Sequence, residues 1–232
     1  MTNSDKSKPS IVLVHGAFAD ATGWQKVISI LLKDGFSVTA VQNPLKSLEE
    51  DVATTKRVIE AQKGDVILVG HSYGGAVISE AAAGNNKVKA LVYVAAFAPD
   101  KGESLDGLIK KYPPTPLFAA VVPDSAGFLF IDQAKYHEVF AHDVTQEEAR
   151  VLATTQKAIA GSVFGESLTA AAWKTIPSWY VVSTQDHAID PDLERFLAKR
   201  MKAQTTELTT SHVPFISQPV KIAEIIESAA KR

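Results

Sequence analysis

Residues 66–83 read VILVGHSYGGAVISEAAA, and this stretch decides how the chain is expected to fold. Residues 66–69 are aliphatic, which predicts a strand buried on both faces of a parallel sheet. Residues 75–83 are mostly small and apolar, which favours a helix packed closely on that sheet. Between them, Gly70-His71-Ser72-Tyr73-Gly74 fits the G-x-S-x-G pattern, in which a serine lies in a tight strand-to-helix turn. Ser72 is therefore a candidate nucleophile.

A glycine-rich turn after a strand can also form a phosphate-binding loop or a purely structural turn. A phosphate-binding loop would need G-x-x-x-x-G-K-[ST] or the dinucleotide pattern G-x-G-x-x-G, and this stretch contains neither. In a purely structural turn the serine would be incidental. The flanking strand and helix argue against that reading, because they form the setting that an exposed nucleophile requires.

The rest of the chain alternates between strand and helix patterns. Ser47 begins a capping box before one helix, Asp190-Pro191 opens another, and residues 220–230 predict an amphipathic terminal helix. Further strands are predicted at residues 11–14, 36–41, 88–95, 179–183 and, more weakly, 205–209. This alternation predicts βαβ units, a mostly parallel sheet and the α/β fold class.

Residues 99–174 interrupt the alternation. Residues 112–116 read YPPTP, which excludes regular helix and central strand, whereas residues 145–148 read TQEE and cap a further helix. An interruption of this length between two core strands predicts an inserted lid. The expected division is a core of residues 1–98 and 175–232 with a lid of residues 99–174.

The loop after the first strand reads His15-Gly16-Ala17-Phe18. An oxyanion hole needs preorganised N–H donors beside the nucleophile. The backbone N–H of Tyr73, directly after the serine, is one predicted donor. Ala17 is the predicted second donor, with Phe18 as the alternative. His15 is expected to be structural and to bond backbone within the loop.

A serine hydroxyl needs a base, and in this type of site the chain order is serine, acid, histidine. His15 and His71 precede the serine, while His137 and His142 lie in the interruption. Their spacing of five residues does not favour a metal pair either. His212 follows the last strand and precedes the terminal helix, where a loop reaches the serine. It is the predicted base.

The loop after residues 179–183 offers two acids that could orient the histidine, Asp186 and Asp190. Asp190 already has a role as the N-cap before Pro191. Asp186 has no such role and lies nearer the end of the strand, so it is the predicted acid. His187 is then a loop residue beside a functional neighbour.

Taken together, these motifs resemble the plant methyl esterase and hydroxynitrile lyase family, and more closely its bacterial esterase relatives. The resemblance covers about residue 11 to the end and is looser in the lid. It implies the α/β-hydrolase fold, with six parallel strands in the order 2-1-3-4-5-6, flanking helices, an inserted helical lid over Ser72, and Ala17 and Tyr73 as donors. The segments that carry it are residues 12–17, 70–75 and 95–100 and the loops of Asp186 and His212.

The predicted function is ester hydrolysis of the carboxylesterase type through an acyl-enzyme on Ser72, with His212 as base and Asp186 as acid. Lyases of the family carry threonine and lysine where this chain has Gly16 and Val213, which favours the esterase branch. The alternatives are lyase, carbon–carbon hydrolase or perhydrolase chemistry on the same triad, and a small-molecule receptor without turnover. Phe18, Phe128 and Trp173 are the predicted substrate-binding residues, and Tyr73, Phe118 and Phe130 are further apolar candidates.

Composition sets the remaining expectations. The chain has 232 residues, 46% hydrophobic and 22% charged, which suits one globular domain. A net charge of -2 leaves no basic surplus for nucleic acid. No run of about 20 apolar residues would cross a membrane, and residues 1–10 lack the apolar stretch of a signal peptide. A cytoplasmic monomer or homodimer acting on a small, fairly apolar ester, with no metal or cofactor, is expected.

Overall fold

A computed structural model of the chain describes residues 8–231. Residues 1–7 and 232, which were assigned to the predicted core, lie outside the described residues. Most of residues 1–10, the segment considered for a signal peptide, therefore also lies outside them. The strands of the described range are β1 (Ser10–Val14), β2 (Val38–Val41), β3 (Val66–Ser72), β4 (Val88–Ala96), β5 (Val121–Pro123), β6 (Phe128–Ile131), β7 (Ile159–Ala160), β8 (Ser178–Ser183) and β9 (Gln204–Leu208).

Six of these strands form one parallel sheet in the order β2-β1-β3-β4-β8-β9. The predicted order 2-1-3-4-5-6 is confirmed, since β8 and β9 are the fifth and sixth strands of this sheet. Every residue of β3 is buried, as expected of a central strand that helices cover on both faces.

Helices cover the sheet and fill the connections. Ser47 Oγ accepts from Glu50 N–H at 3.1 Å and Asp190 caps its own helix, as their sequence patterns predict. The helices are α1 (Gln25–Lys33), α2 (Leu48–Ala61), α3 (Tyr73–Ala81), α4 (Leu105–Ile109), α5 (Tyr136–Phe140), α6 (Gln146–Thr155), α7 (Pro191–Arg200), α8 (Pro214–Ser217) and α9 (Pro219–Ala230). Short 3-10 helices occupy Ala21–Trp24, Pro116–Ala120, Gly161–Gly165 and Ala172–Lys174. No helix of the described range is long and apolar enough to cross a bilayer.

The segment between β4 and β8 contains a small antiparallel sheet, β5-β6-β7, in addition to helices α4 to α6. The sequence predicted only helices in this insertion. Its strands have two to four residues, too few for a clear alternating pattern. The turn at Gly127, with φ +81°, was the available hairpin signal. The division of the chain into core and lid stays a prediction.

The sheet topology creates the place where a site can form. From β1 the chain moves to β2 on one side, and from β3 to β4 on the other side. Adjacent parallel strands whose connections leave in opposite directions open a crevice at their carboxyl ends. The loop after β1 and the turn after β3 meet at this crevice.

Candidate active site

Ser72 ends β3 and directly precedes α3, in a turn that glycines make possible. Its backbone has φ +53° and ψ -125°, a strained conformation for a residue with a side chain. A Cβ at Gly70 would lie 2.6 Å from the carbonyl oxygen of Gly74, and a Cβ at Gly75 would lie 2.2 Å from that of Phe97. Only glycine fits such close backbone approaches, so the spacing in the sequence reflects the geometry of the turn.

The loop after β1 lies directly against this turn. A Cβ at Gly16 would be 2.6 Å from Ser72 Cβ and 3.2 Å from Ser72 Oγ. Within residues 8–231, the backbone N–H groups of Ala17, Phe18 and Tyr73 donate no hydrogen bond to protein acceptors. The two predicted donors and the alternative Phe18 are therefore all unpaired, and the choice between them as oxyanion donors stays a prediction.

His15 has a structural set of contacts. Its Nε2 accepts from Asn43 N–H at 3.0 Å and its Nδ1 donates to the Gly16 carbonyl at 2.8 Å. Burial lowers the pKa of His15 to about 4, so the imidazole is neutral near pH 7. The ring joins the loop after β1 to the loop after β2.

Asp186 and His212 form a buried pair, of which His212 lines the cavity. His212 Nδ1 lies 2.5 Å from Asp186 Oδ2, and the two side chains are 1% and 0% exposed. Asp186 Oδ1 also accepts from the N–H groups of Ala188 at 2.6 Å and Ile189 at 3.0 Å. His71 Nε2 donates to the backbone carbonyl of His212 at 2.8 Å, which holds that residue in place.

Ser72 and His212 line the same cavity, but no hydrogen bond joins them in the described part of the chain. Because Asp186 engages Nδ1, Nε2 is the ring nitrogen left for the serine proton. Catalytic hydrogen bonds are often long before substrate binds. The alternative acid, Asp190, accepts from Asp192 N–H at 2.8 Å as the cap of α7. His187 Nδ1 bonds the carbonyl of Glu138 at 2.9 Å.

The cavity above Ser72 has a volume of about 390 Å³ and mostly apolar walls. Three of the aromatic residues predicted to contact substrate line it: Phe18, Tyr73 and Phe118. The sequence did not single out most of the lining, because these residues come from distant segments: Phe97, Asp106, Ile109, Leu117, Val121, Leu129, Phe140, Phe164, Ala188 and Ile189.

Phe128 and Trp173, which were predicted to bind substrate, are not among the lining residues, and neither is Phe130. In β6 successive side chains alternate in direction, and Leu129 is the residue of that strand that reaches the cavity. Trp173 Nε1 donates to the Pro99 carbonyl at 3.0 Å. The guanidinium of Arg200 stacks over the Trp173 ring at 5.3 Å, so this tryptophan has a packing role.

Hydrogen bonds from the insertion hold the loops of Asp186 and His212, a feature that sequence patterns did not signal. Asp143 Oδ2 accepts from Ser211 N–H at 3.0 Å, and Asp143 Oδ1 accepts from the Ser211 hydroxyl. Ser211 directly precedes His212. Three more bonds hold the loop of Asp186: Thr115 Oγ1 to Ala188 O, Leu117 N to His187 O, and His142 Nε2 to Gln185 O.

The described residues contain no cluster of three or more His, Cys, Asp or Glu side chains that could hold a metal ion. His137 Nε2 bonds the carbonyl of Val144 at 2.9 Å, while His142 bonds Gln185, so each ring has a backbone partner. His137 thus stabilises a loop of the insertion, whereas His142 joins the insertion to the loop of Asp186.

Comparisons with known proteins agree with this architecture. A model of the alpha/beta hydrolase family matches residues 11–225. An alpha/beta hydrolase from Aspergillus novofumigatus is 28% identical over 96% of this chain and 97% of its own length. Methylesterase 8 from Arabidopsis thaliana is 24% identical over 99% of this chain and 92% of its own length. The resemblance to plant methylesterases is thus confirmed.

Among solved structures, a pyrethroid hydrolase from Sphingobium faniae JZ-2 superimposes with a TM-score of 0.82 and 24% sequence identity. The superposition covers 96% of this chain and 97% of that one. It confirms the predicted α/β-hydrolase fold.

Proposed function

The chain belongs to the alpha/beta hydrolase family, and we propose that it is a serine esterase that cleaves a small, fairly apolar carboxylic ester through an acyl-enzyme. One observation carries the proposal: a buried Asp186–His212 pair, joined at 2.5 Å, lies at the cavity that Ser72 also lines. A histidine oriented by a buried carboxylate beside a serine is the constellation that activates a hydroxyl. The methylesterase relative supports the same reaction class.

In the acylation half-reaction, His212 Nε2 takes the proton of Ser72 as Oγ attacks the ester carbonyl carbon. The carbonyl oxygen becomes an oxyanion, which accepts from the N–H groups of Tyr73 and Ala17. The carbon–oxygen bond to the alcohol then breaks, and His212 returns its proton to the leaving alcohol. The acyl group remains on Ser72.

In the deacylation half-reaction, His212 takes a proton from water, which attacks the acyl carbon. The second oxyanion uses the same two donors. When it collapses, the bond to Ser72 Oγ breaks, and the proton on His212 returns to Oγ. Asp186 stays ionised throughout, because its oxygens already accept from the imidazole and from two backbone N–H groups.

The position of Ser72 at the start of α3 supports the charge separation in both half-reactions. The N-terminal end of a helix favours negative charge, and the N–H of Tyr73 is the first unpaired donor of this helix. The strained backbone at Ser72 is consistent with a residue held for function, since such conformations cost free energy.

The cavity suggests the substrate class. Its volume of about 390 Å³ and apolar walls suit a compact, mostly apolar ligand. Among the described residues that line it, Asp106 carries the only carboxylate. We therefore expect neutral esters to be preferred over esters that carry a negative charge near this side chain.

Labelling with a fluorophosphonate and hydrolysis of an ester panel test the proposal. Ser72→Ala should abolish both while the circular dichroism spectrum is kept. Ser29→Ala is the matched control, because Ser29 is an exposed residue of α1 and should retain both signals. Retention of most of the activity by Ser72→Ala would overturn the proposal. So would a wild-type protein that neither reacts with the probe nor hydrolyses any ester, since that is the behaviour of a receptor.

A further inference from the structure

A second carboxyl group lies buried near the catalytic acid and has no part in the reaction described above. Glu194 of α7 is 0% exposed. Its Oε2 accepts from Ser183 N–H at 3.1 Å, at the end of β8. Its Oε1 has no hydrogen-bond partner in the described part of the chain. A buried carboxylate with a free oxygen carries a large desolvation cost, whereas a protonated carboxyl can donate from that oxygen.

Asp186 is the group that could accept this proton. Among the charged groups it has the strongest electrostatic effect on Glu194, and a proton on Glu194 would supply the hydrogen bond that Oε1 lacks. Burial and then the negative charge of Asp186 raise the pKa of Glu194 well above its usual range. Both residues bond the backbone of Ser183: Glu194 through its Oε2, and Asp186 through its backbone N–H, which donates to the Ser183 carbonyl at 3.2 Å.

The other titratable groups around Glu194 do not offset its burial. Tyr180 of β8 is fully buried, and its hydroxyl bonds the carbonyl of Ala96. Arg195, the neighbour of Glu194 on α7, is a surface residue. Its guanidinium is paired with Asp192 at 2.8 Å and with Glu207 at 2.9 Å. Arg195 therefore forms its ion pairs with other carboxylates and not with Glu194.

We propose that Glu194 is a neutral carboxylic acid that donates its proton to Asp186 and acts as a positioning residue for the Asp186–His212 pair. The inference rests on the proposed function only for the role of that pair. Glu194 would hold the carboxylate of Asp186 from behind while Ala188 and Ile189 hold it through their N–H groups. Because Glu194 stays neutral, Asp186 is the one negative charge beside the imidazole.

Two substitutions separate the neutral state from an ionised one. Glu194→Gln keeps the shape of the side chain and provides an uncharged hydrogen-bond donor. This variant should leave the acid limb of the kcat/KM–pH profile in place and keep kcat within about threefold of wild type. If Glu194 were ionised, its removal would shift that limb to lower pH by about one unit or more, as for neighbouring charges within a few ångströms. Such a shift would overturn the proposal. Glu194→Leu removes both bonds and should lower kcat about tenfold with little change in KM, a loss that the glutamine variant does not show.

Infrared difference spectroscopy gives a readout independent of activity. The wild-type minus Glu194→Gln spectrum at pH 7 should contain the carbonyl band of one protonated carboxylic acid. If it contains a carboxylate band instead, the proposal is wrong, whether or not the protein hydrolyses esters. Glu207→Gln is the matched control, since Glu207 is paired with Arg195 on the surface and its difference spectrum should show a carboxylate. The infrared result decides the protonation state even if the leucine variant does not fold.

Discussion

Gly16→Ala should impair catalysis far more than folding, because the added methyl group would meet the nucleophile. A Cβ at this position lies 2.6 Å from Ser72 Cβ, 2.9 Å from the His71 carbonyl oxygen and 3.2 Å from Ser72 Oγ. Nonbonded carbon atoms pack best at about 3.5–4.0 Å. The loop after β1 and the turn at Ser72 would therefore have to separate by about 1 Å.

The expected magnitudes follow from that displacement. A misplacement of about 1 Å can cost about 100-fold in rate, which corresponds to about 2.7 kcal/mol of transition-state stabilisation. Overpacking by one methyl group costs about 1–3 kcal/mol of folding free energy. For a domain of this size, such a loss lowers Tm by about 2–12 °C, so the variant should remain folded at 25 °C.

The assay is kcat/KM on a short-chain nitrophenyl ester, together with Tm from circular dichroism. Gly64→Ala is the matched control, because a Cβ at Gly64 has no atom within 4 Å and the same chemical change should leave both quantities unaltered. If folded Gly16→Ala kept kcat/KM within about threefold of wild type, the close approach of the loop to Ser72 would be irrelevant to catalysis. The assignment of an oxyanion donor to that loop would then be refuted.

Three further predictions use other contacts of the structure. Asp143→Ala removes both bonds to Ser211 beside His212, and kcat on the same ester should fall about tenfold with KM nearly unchanged. His15 has a pKa of about 4 when folded against 6.5 when unfolded, so its contribution to stability is complete above pH 6.5 and is lost as pH falls towards 4. By urea denaturation that loss should be about 2–3 kcal/mol at pH 4.5, and His15→Gln should remove it. Asp106→Asn should raise kcat/KM about fivefold for an anionic ester and leave a neutral ester unaffected, the factor for about 1 kcal/mol of screened repulsion.

Each of these predictions has an outcome that contradicts it. An unchanged kcat in Asp143→Ala would mean that the insertion does not hold the base loop. An equal loss of stability with pH in His15→Gln and wild type would assign the acid sensitivity to other groups. If Asp106→Asn altered neutral and anionic esters alike, the carboxylate would act through packing and not through charge.

The amino-acid pattern determined the parts of the protein that depend on short-range backbone geometry. Residues 66–83 predicted a buried strand, a tight turn and a close-packed helix, because each of these has a local composition. Chain order then selected His212 as base, and the capping role of Asp190 left Asp186 as acid. The strand order followed from the family resemblance and is confirmed by the sheet.

Only the tertiary structure decided which side chains surround the reacting centre. Phe128 and Trp173 were reasonable aromatic candidates, yet neither lines the cavity, whereas Phe97 and Phe140 do. Strand direction and the packing of the insertion determine which way such residues point, and neither is encoded in a few neighbouring residues. The antiparallel strands of the insertion were missed for a different reason: two to four residues carry too little periodicity.

The sequence by itself thus determined the turn at Ser72, the parallel α/β sheet and the order of the candidate triad, because local spacing and chain connectivity restrict these features. The tertiary structure alone decided the cavity wall, the bonds from Asp143 to the base loop and the burial of Glu194 near Asp186. These contacts join residues that are distant in sequence or lie on different elements. Packing and desolvation, which act only once the chain has folded, determine their effect on the chemistry.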